Sequence, residues 1–246
     1  KMTANNTGGV FSGFSVSPTG QSFAGQYRVE FDLWQNYVGP VGPGGNGTTQ
    51  LSTFGIGTAV TVPFWAGAAV KESVAFAATL DGGSASDYRA YSSAAPTSYA
   101  SGNAVYQAPG GAINESNAYY QTAFPSNSAP AAQVALFPGQ TGSTDPGEIS
   151  FTWRRVVIEV SGGNATWTVD GLPIAVVPMA GLTLGGGNIL FGHSDTNAGS
   201  SNDPNDTLLN VTLIDNVTVT QIPEPSTAVL SGLAIAALGA IRRRRA

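Results

Sequence analysis

The chain contains no cysteine, and His193 is the only histidine among its 246 residues. Without thiols there are no disulfides, no thiolate metal sites and no cysteine nucleophile. One imidazole cannot assemble a His-based zinc site. A Ser/His/Asp triad survives this count, but no Gly-x-Ser-x-Gly elbow accompanies it. His193 ends an apolar strand beside Ser194 and Asp195, and reads as a hydrogen-bonded structural histidine. Charge is scarce as well, with Asp, Glu, Lys and Arg making up 10% of the chain. Four of the 10 basic residues are the consecutive Arg242, Arg243, Arg244 and Arg245. Residues 1–222 therefore carry 14 acidic and 6 basic side chains, a net of −8 with His193 neutral. Such a body lacks the basic footprint that nucleic acid requires, so no nucleic-acid partner is expected.

What is present is Gly, Ser, Thr, Asn and Ala, distributed between short apolar or alternating stretches. This pattern predicts an all-β domain over residues 1–221, held together by its core alone, and about 220 residues suffice for one large sandwich. Tyr27, Val29, Phe31 and Leu33 alternate with polar partners and share one strand face. Residues 51–62 and 73–80 read as two more strands, and 149–160 as a long one. Residues 165–169 and 172–177 flank Asp170-Gly171, the dipeptide of a tight hairpin. Residues 188–193 form a short strand. The last strand, 208–221, places Val211, Leu213, Asp215, Val217 and Val219 on one face. Trp153 or Trp167, Phe191 and Val217 are expected to be buried. No convincing amphipathic helix lies outside the tail.

Residues 81–144 differ, being small, polar and rich in tyrosine: Tyr88, Tyr91, Tyr99, Tyr106, Tyr119 and Tyr120. Tyrosine offers apolar area with a polar tip. This insert is either a binding surface, with Trp34 and Trp65 as further aromatic platforms, or an irregular covering over the sandwich.

The succession Trp-Thr-Val-Asp-Gly-Leu-Pro-Ile at 167–174, Ile-Leu-Phe-Gly at 189–192 and Leu-Ile-Asp-Asn-Val-Thr-Val at 213–219 resembles the second half of a laminin-G or concanavalin-type jelly roll. The resemblance spans roughly residues 148–220 and implies an antiparallel β-sandwich. Sugar-cleaving relatives of that sandwich carry Glu-x-Asp-x-Glu on one strand, as nucleophile and acid/base. Here the run is Glu30-Phe31-Asp32-Leu33-Trp34, so the last carboxylate is missing and Glu30 and Asp32 read as outward charges. An enzyme would need an unusual pair drawn from Glu30, Glu72 or Glu148 across strands, so no catalytic residue is assigned.

The densest run of oxygen ligands is 195–206, with Asp195, Asn197, Asn202, Asp203 and Asp206. Three carboxylates and three amides in this span suit Ca²⁺, which takes six to eight oxygens, although the run does not match an EF-hand. Asn/Asp/Gly/Ser runs are also ordinary turn chemistry.

The tail, 222–246, has its own logic. Pro223, Glu224 and Pro225 precede an uncharged apolar run, 226–241, which ends at Arg242, Arg243, Arg244 and Arg245. As a helix this run would reach roughly 24 Å, short of a hydrocarbon core of roughly 30 Å unless the arginines snorkel. The basic end sets the cytoplasmic side and leaves the body outside. The order of these elements resembles the PEP-CTERM sorting signal of Gram-negative bacteria. That resemblance implies recognition by an exosortase, an inner-membrane intermediate and delivery to the cell surface or matrix, in lineages that make exopolysaccharide. No apolar export segment follows Lys1-Met2-Thr3, so a signal peptide is expected upstream. Two functions follow. One is a non-enzymatic surface or matrix protein that binds polysaccharide; the other is a secreted glycan-active hydrolase or lyase on the same sandwich.

Overall fold

The computed structural model describes residues 1–3, 12–42, 50–59, 73–81, 84–93, 98–195 and 203–223. Ten strands form two antiparallel five-stranded sheets packed face to face. The first sheet contains β1 (Ser12–Val16), β9 (Asn188–Asp195), β3 (Gln50–Thr58), β4 (Ser73–Thr79) and β5 (Tyr88–Ser93), in that order across the sheet. The second is ordered β10 (Val211–Gln221), β2 (Tyr27–Asn36), β6 (Arg154–Ser161), β7 (Asn164–Val169), β8 (Leu172–Pro178). The short helices α1 (Ala118–Ala123), α2 (Ala131–Leu136) and α3 (Asp206–Leu209) complete the described elements with a 3₁₀ turn at Pro109–Gly111. None of the described helices is long and apolar enough to cross a membrane, and the expected hydrophobic helix at 226–241 lies outside the described residues.

Strand parity builds the core. In β2 the residues Tyr27, Val29, Phe31 and Leu33 point inward, all 4% exposed or less, as the alternation requires. Trp167 of β7 is fully buried, with ring centroids 5.4 Å from both Phe54 and Phe76 of the opposite sheet. Phe31 meets Phe54 at 5.2 Å and Phe191 at 5.0 Å, both edge to face. Tilted and edge-on aromatic pairs add to simple area burial and fix the two sheets against each other. The β7–β8 hairpin turns at Asp170 and Gly171, with φ of 49° and 82°. Two positive φ values match the strand twist, which is why Asp-Gly stands there.

Three expectations are corrected. The stretch 149–160 is extended only from Arg154 onward, because Phe151 adopts φ 59° and breaks the run. Ile149 and Phe151 remain buried, and Phe151 packs on Tyr37 at 4.9 Å. The stretch 208–221 begins with α3, and its strand is bulged between Asp215 and Thr218, where Asn216 takes φ 51°. One extra residue reverses the parity. Thr212 and Ile214 pair with core-facing Gln35 and Leu33 before the bulge, and Val219 pairs with core-facing Val29 after it. Val217 is therefore 43% exposed rather than buried. Third, the tyrosine-rich insert is not irregular throughout, and of its two readings the burial of its tyrosines favours the covering. Residues 88–93 pair with β4, and Tyr88, Tyr91, Tyr106 and Tyr120 are all buried.

The tyrosine hydroxyls explain why the insert carries tyrosine rather than phenylalanine. Three donate to loop carbonyls, Tyr88 to Gly147 (2.5 Å), Tyr106 to Tyr99 (2.8 Å) and Tyr120 to Ala112 (2.8 Å), and Tyr119 donates to Pro173 of β8 (2.7 Å). An irregular segment packed on a core leaves carbonyls without ladder partners, and each must be satisfied.

Candidate functional site

The outward face of β2 displays Arg28, Glu30, Asp32 and Trp34, opposite the residues that build the core. Register places Asp32 beside Arg155, and Arg28 beside Glu159 of β6. Arg155 bridges both acids, at 3.6 Å to Glu30 and 3.2 Å to Asp32, while Arg28 meets Glu159 at 2.6 Å. Across the other edge, the bulged Asn216 donates to Asp32 at 2.7 Å. The Asn216 hydrogen bond first, and Arg155 after it, hold the Asp32 carboxyl below its ordinary range. Glu30 and Asp32 are outward charges, as expected from the sequence.

Trp34 ends this polar ladder and opens a groove. Its ring lies 5.8 Å from that of Trp153, which is 47% exposed. The groove encloses about 320 Å³ and is lined by Trp34, Asn36, Val211, Gln133, Leu136, Phe137 and Leu208 among others. A further space of about 170 Å³ continues past Leu136, Phe137 and Leu209 toward Gln140, Asp203 and Asn205. Leu136 is 75% exposed and Leu208 52%. Aromatic and aliphatic walls with a few amide groups in a cleft of this size are the usual makings of a ligand site. Trp34, a platform candidate in the sequence, lies on the outward face of β2. Trp153, assigned to the middle of a strand, actually precedes β6, which is why its ring is free to reach Trp34.

His193 is fully buried, with Nδ1 2.8 Å from Thr212 Oγ1 and Nε2 2.5 Å from Gln50 Oε1. Thr212 Oγ1 lies 2.5 Å from Ser52 Oγ, which accepts from Gln35 Nε2 at 2.9 Å. This chain of polar groups ties the two sheets together through the core. Burial pushes the imidazole down to about 3, so it is neutral, and its role is structural as the sequence suggested.

Two further carboxyls with perturbed character, Glu148 and Asp87, are sealed inside. Glu148 is buried, accepting from Tyr37 Oη and from the Asp145 N–H, both at 3.3 Å, and burial pushes it up to about 8. It lies inside while Glu30 lies outside, so the cross-strand pair considered from the sequence is not formed between them. Glu72 and Trp65 fall outside the described residues. Burial and the adjoining Glu115 carboxyl raise Asp87 to about 9.

Of the oxygen-rich run, Asp195 is buried at the end of β9 and Asp206 begins α3. Asp203 accepts from the Asn205 N–H at 2.8 Å. Asn197 and Asn202 fall outside the described residues, among which no three of His, Cys, Asp or Glu converge as for a metal.

No curated protein matches the chain. Among solved structures, the chain is similar to a mutant of alginate lyase Aly36B in complex with an alginate trisaccharide, over 88% of this chain and 80% of that one. The identity is 12% and the TM-score 0.30, a level that carries no functional argument. Residues 221–245 match the PEP-CTERM protein-sorting motif, so the tail marks an exported protein that passes through a membrane-anchored intermediate in a Gram-negative bacterium and is processed by an exosortase.

Proposed function

We propose that this chain is a non-enzymatic protein of the cell surface or extracellular matrix that binds polysaccharide along the Trp34 groove. On this reading the sandwich is a jelly roll of the concanavalin or laminin-G type, and the apolar tail is a transient membrane helix removed after export. The observation that carries the proposal is the Trp34–Trp153 pair at the mouth of a groove walled by Phe137 and leucines and dotted with Asn36, Gln133 and Asn205. Aromatic faces stack on the apolar faces of sugar rings, and amides meet their hydroxyls.

The disposition of carboxyls favours binding over cleavage. A glycosidase needs two carboxyl groups placed across the scissile bond, one of them protonated at working pH. Asp32, the acid best placed to meet a polymer, is held ionised. The carboxyls that retain protons, Asp87 and Glu148, are buried where no polymer reaches.

The test uses residues 1–222 against a polysaccharide panel, with binding and chain length measured together. Binding without shortening, weakened at least tenfold in Trp34→Ala with Trp153→Ala at unchanged melting temperature, supports the proposal. Degradation by the parent, abolished by Glu30→Gln with Asp32→Asn, would establish the enzyme instead. Binding that survives loss of both tryptophans would remove the groove from the argument.

A further inference from the structure

We infer that Asp87 and Glu115 together hold one buried calcium ion, at the seam between β4–β5 and the tyrosine-rich insert. A cavity of about 10 Å³ lies there, lined by Thr79, Asp87, Tyr88, Glu115, Gly147 and Glu148 among others. That is about the space a single water needs, so its occupant is an ion or a water.

The polar atoms around it are incomplete in a particular way. Asp87 accepts from Thr79 Oγ1 at 2.8 Å and from the Glu115 N–H at 3.0 Å, and its carboxyl meets that of Glu115. Glu115 is 8% exposed, and its Oε2 is buried with no hydrogen-bond partner. Two carboxyls are thus brought together out of water with one oxygen left over. The buried guanidinium of Arg154 pairs through Nη1 with Asp170 at 3.0 Å, and its Nε and Nη2 make no hydrogen bond, so none of its donors is spent on either carboxyl. The Glu148 carboxyl is turned to Tyr37 and the Asp145 N–H.

Buried charge must be compensated. One shared proton would still leave a full negative charge on the pair, whereas a divalent cation neutralises it. The side chains that face the pair offer oxygen alone: two carboxylates and the Thr79 hydroxyl. Zinc prefers nitrogen and sulfur, and magnesium retains several waters that this cavity has no room for. Calcium accepts six to eight oxygens in flexible geometry.

The experiment takes the full chain in mild detergent, stripped with EDTA. Millimolar Ca²⁺ should raise its melting temperature by several degrees, and the same concentration of Mg²⁺ should not. Tb³⁺ should luminesce on excitation of the neighbouring Tyr88 and be displaced by Ca²⁺. Both responses should vanish in Glu115→Gln. Thr79→Val, which keeps both carboxylates, should weaken Tb³⁺ binding about tenfold, and it decides the matter if Glu115→Gln does not fold. No response in the parent overturns the inference. So does a response unaltered in either variant, which would place the ion elsewhere, for example on the run 195–206.

Discussion

Raising the pH from 5 to 9 should destabilise the folded body, and Glu148→Gln should remove a defined share of that loss. Burial moves the Glu148 carboxyl from its ordinary 4.5 to about 8 in the folded state. Below 4.5 both folded and unfolded chains carry the proton, so the full stability is present. Between 4.5 and about 8 the unfolded chain releases it while the folded chain keeps it. Stability therefore falls as pH rises through this window and levels off above it. At about 1.4 kcal/mol per pH unit, the Glu148 contribution amounts to roughly 5 kcal/mol as an upper figure. A domain of this size shifts by about 2–4 °C for each kcal/mol, so roughly 10–20 °C of melting temperature is at stake. Asp87 acts in the same direction over a window reaching about 9, so the variant should flatten the curve without abolishing its slope. Glutamine retains an oxygen for the Tyr37 hydroxyl or the Asp145 N–H but satisfies both less well, costing about 1 kcal/mol at pH 5. The two melting curves, measured in EDTA from pH 4 to 10, should then cross, with the variant less stable in acid and more stable in alkali. Parallel curves would refute the assignment of Glu148 as a buried acid that folds in its protonated form.

Deleting residues 224–246 should release a soluble, folded body from the membrane fraction, whereas replacing Arg242–Arg245 with neutral residues should impair retention. A misfolded truncation, judged by circular dichroism, would return 226–241 to the core. Trp167→Ala should cost roughly 3–5 kcal/mol in denaturant unfolding, as expected for a large aromatic removed from a fully packed site. At Asn216, with φ 51°, a β-branched residue should cost about 1–2 kcal/mol while glycine is tolerated; equal stability of Asn216→Val would argue against the bulge.

Where a single periodicity governed a segment, the sequence disclosed its structure. Tyr27 to Leu33 alternates without interruption and forms the core face of β2, and Asp170-Gly171 announces its own hairpin. Where one residue interrupts the period, the reading failed beyond it. Nothing in the composition of Asp215-Asn216-Val217 announces the bulge that turns Val217 outward. The tyrosines stayed ambiguous for another reason: a tyrosine on a surface and one bracing a buried loop look alike in sequence, and only the carbonyl partners distinguish them. The groove was illegible because α2, Trp153 and Leu208 are distant along the chain and meet only through tertiary packing. The Asp87–Glu115 pair was hidden likewise, by 28 residues of separation.

The direction of β10 fixes how the molecule is held while anchored. Its first residue, Val211, pairs with Asn36 beside the groove, and its last, Gln221, pairs with Tyr27 at the far end of the sheet. At about 3.3 Å per residue the two ends stand roughly 30 Å apart. The sorting motif starts at the far end, with no spacer between strand and signal. The tail thus leaves the sandwich at one pole, and the Trp34 cleft lies at the other. On the reading proposed above, removing the tail changes where the protein travels and leaves the polysaccharide groove untouched.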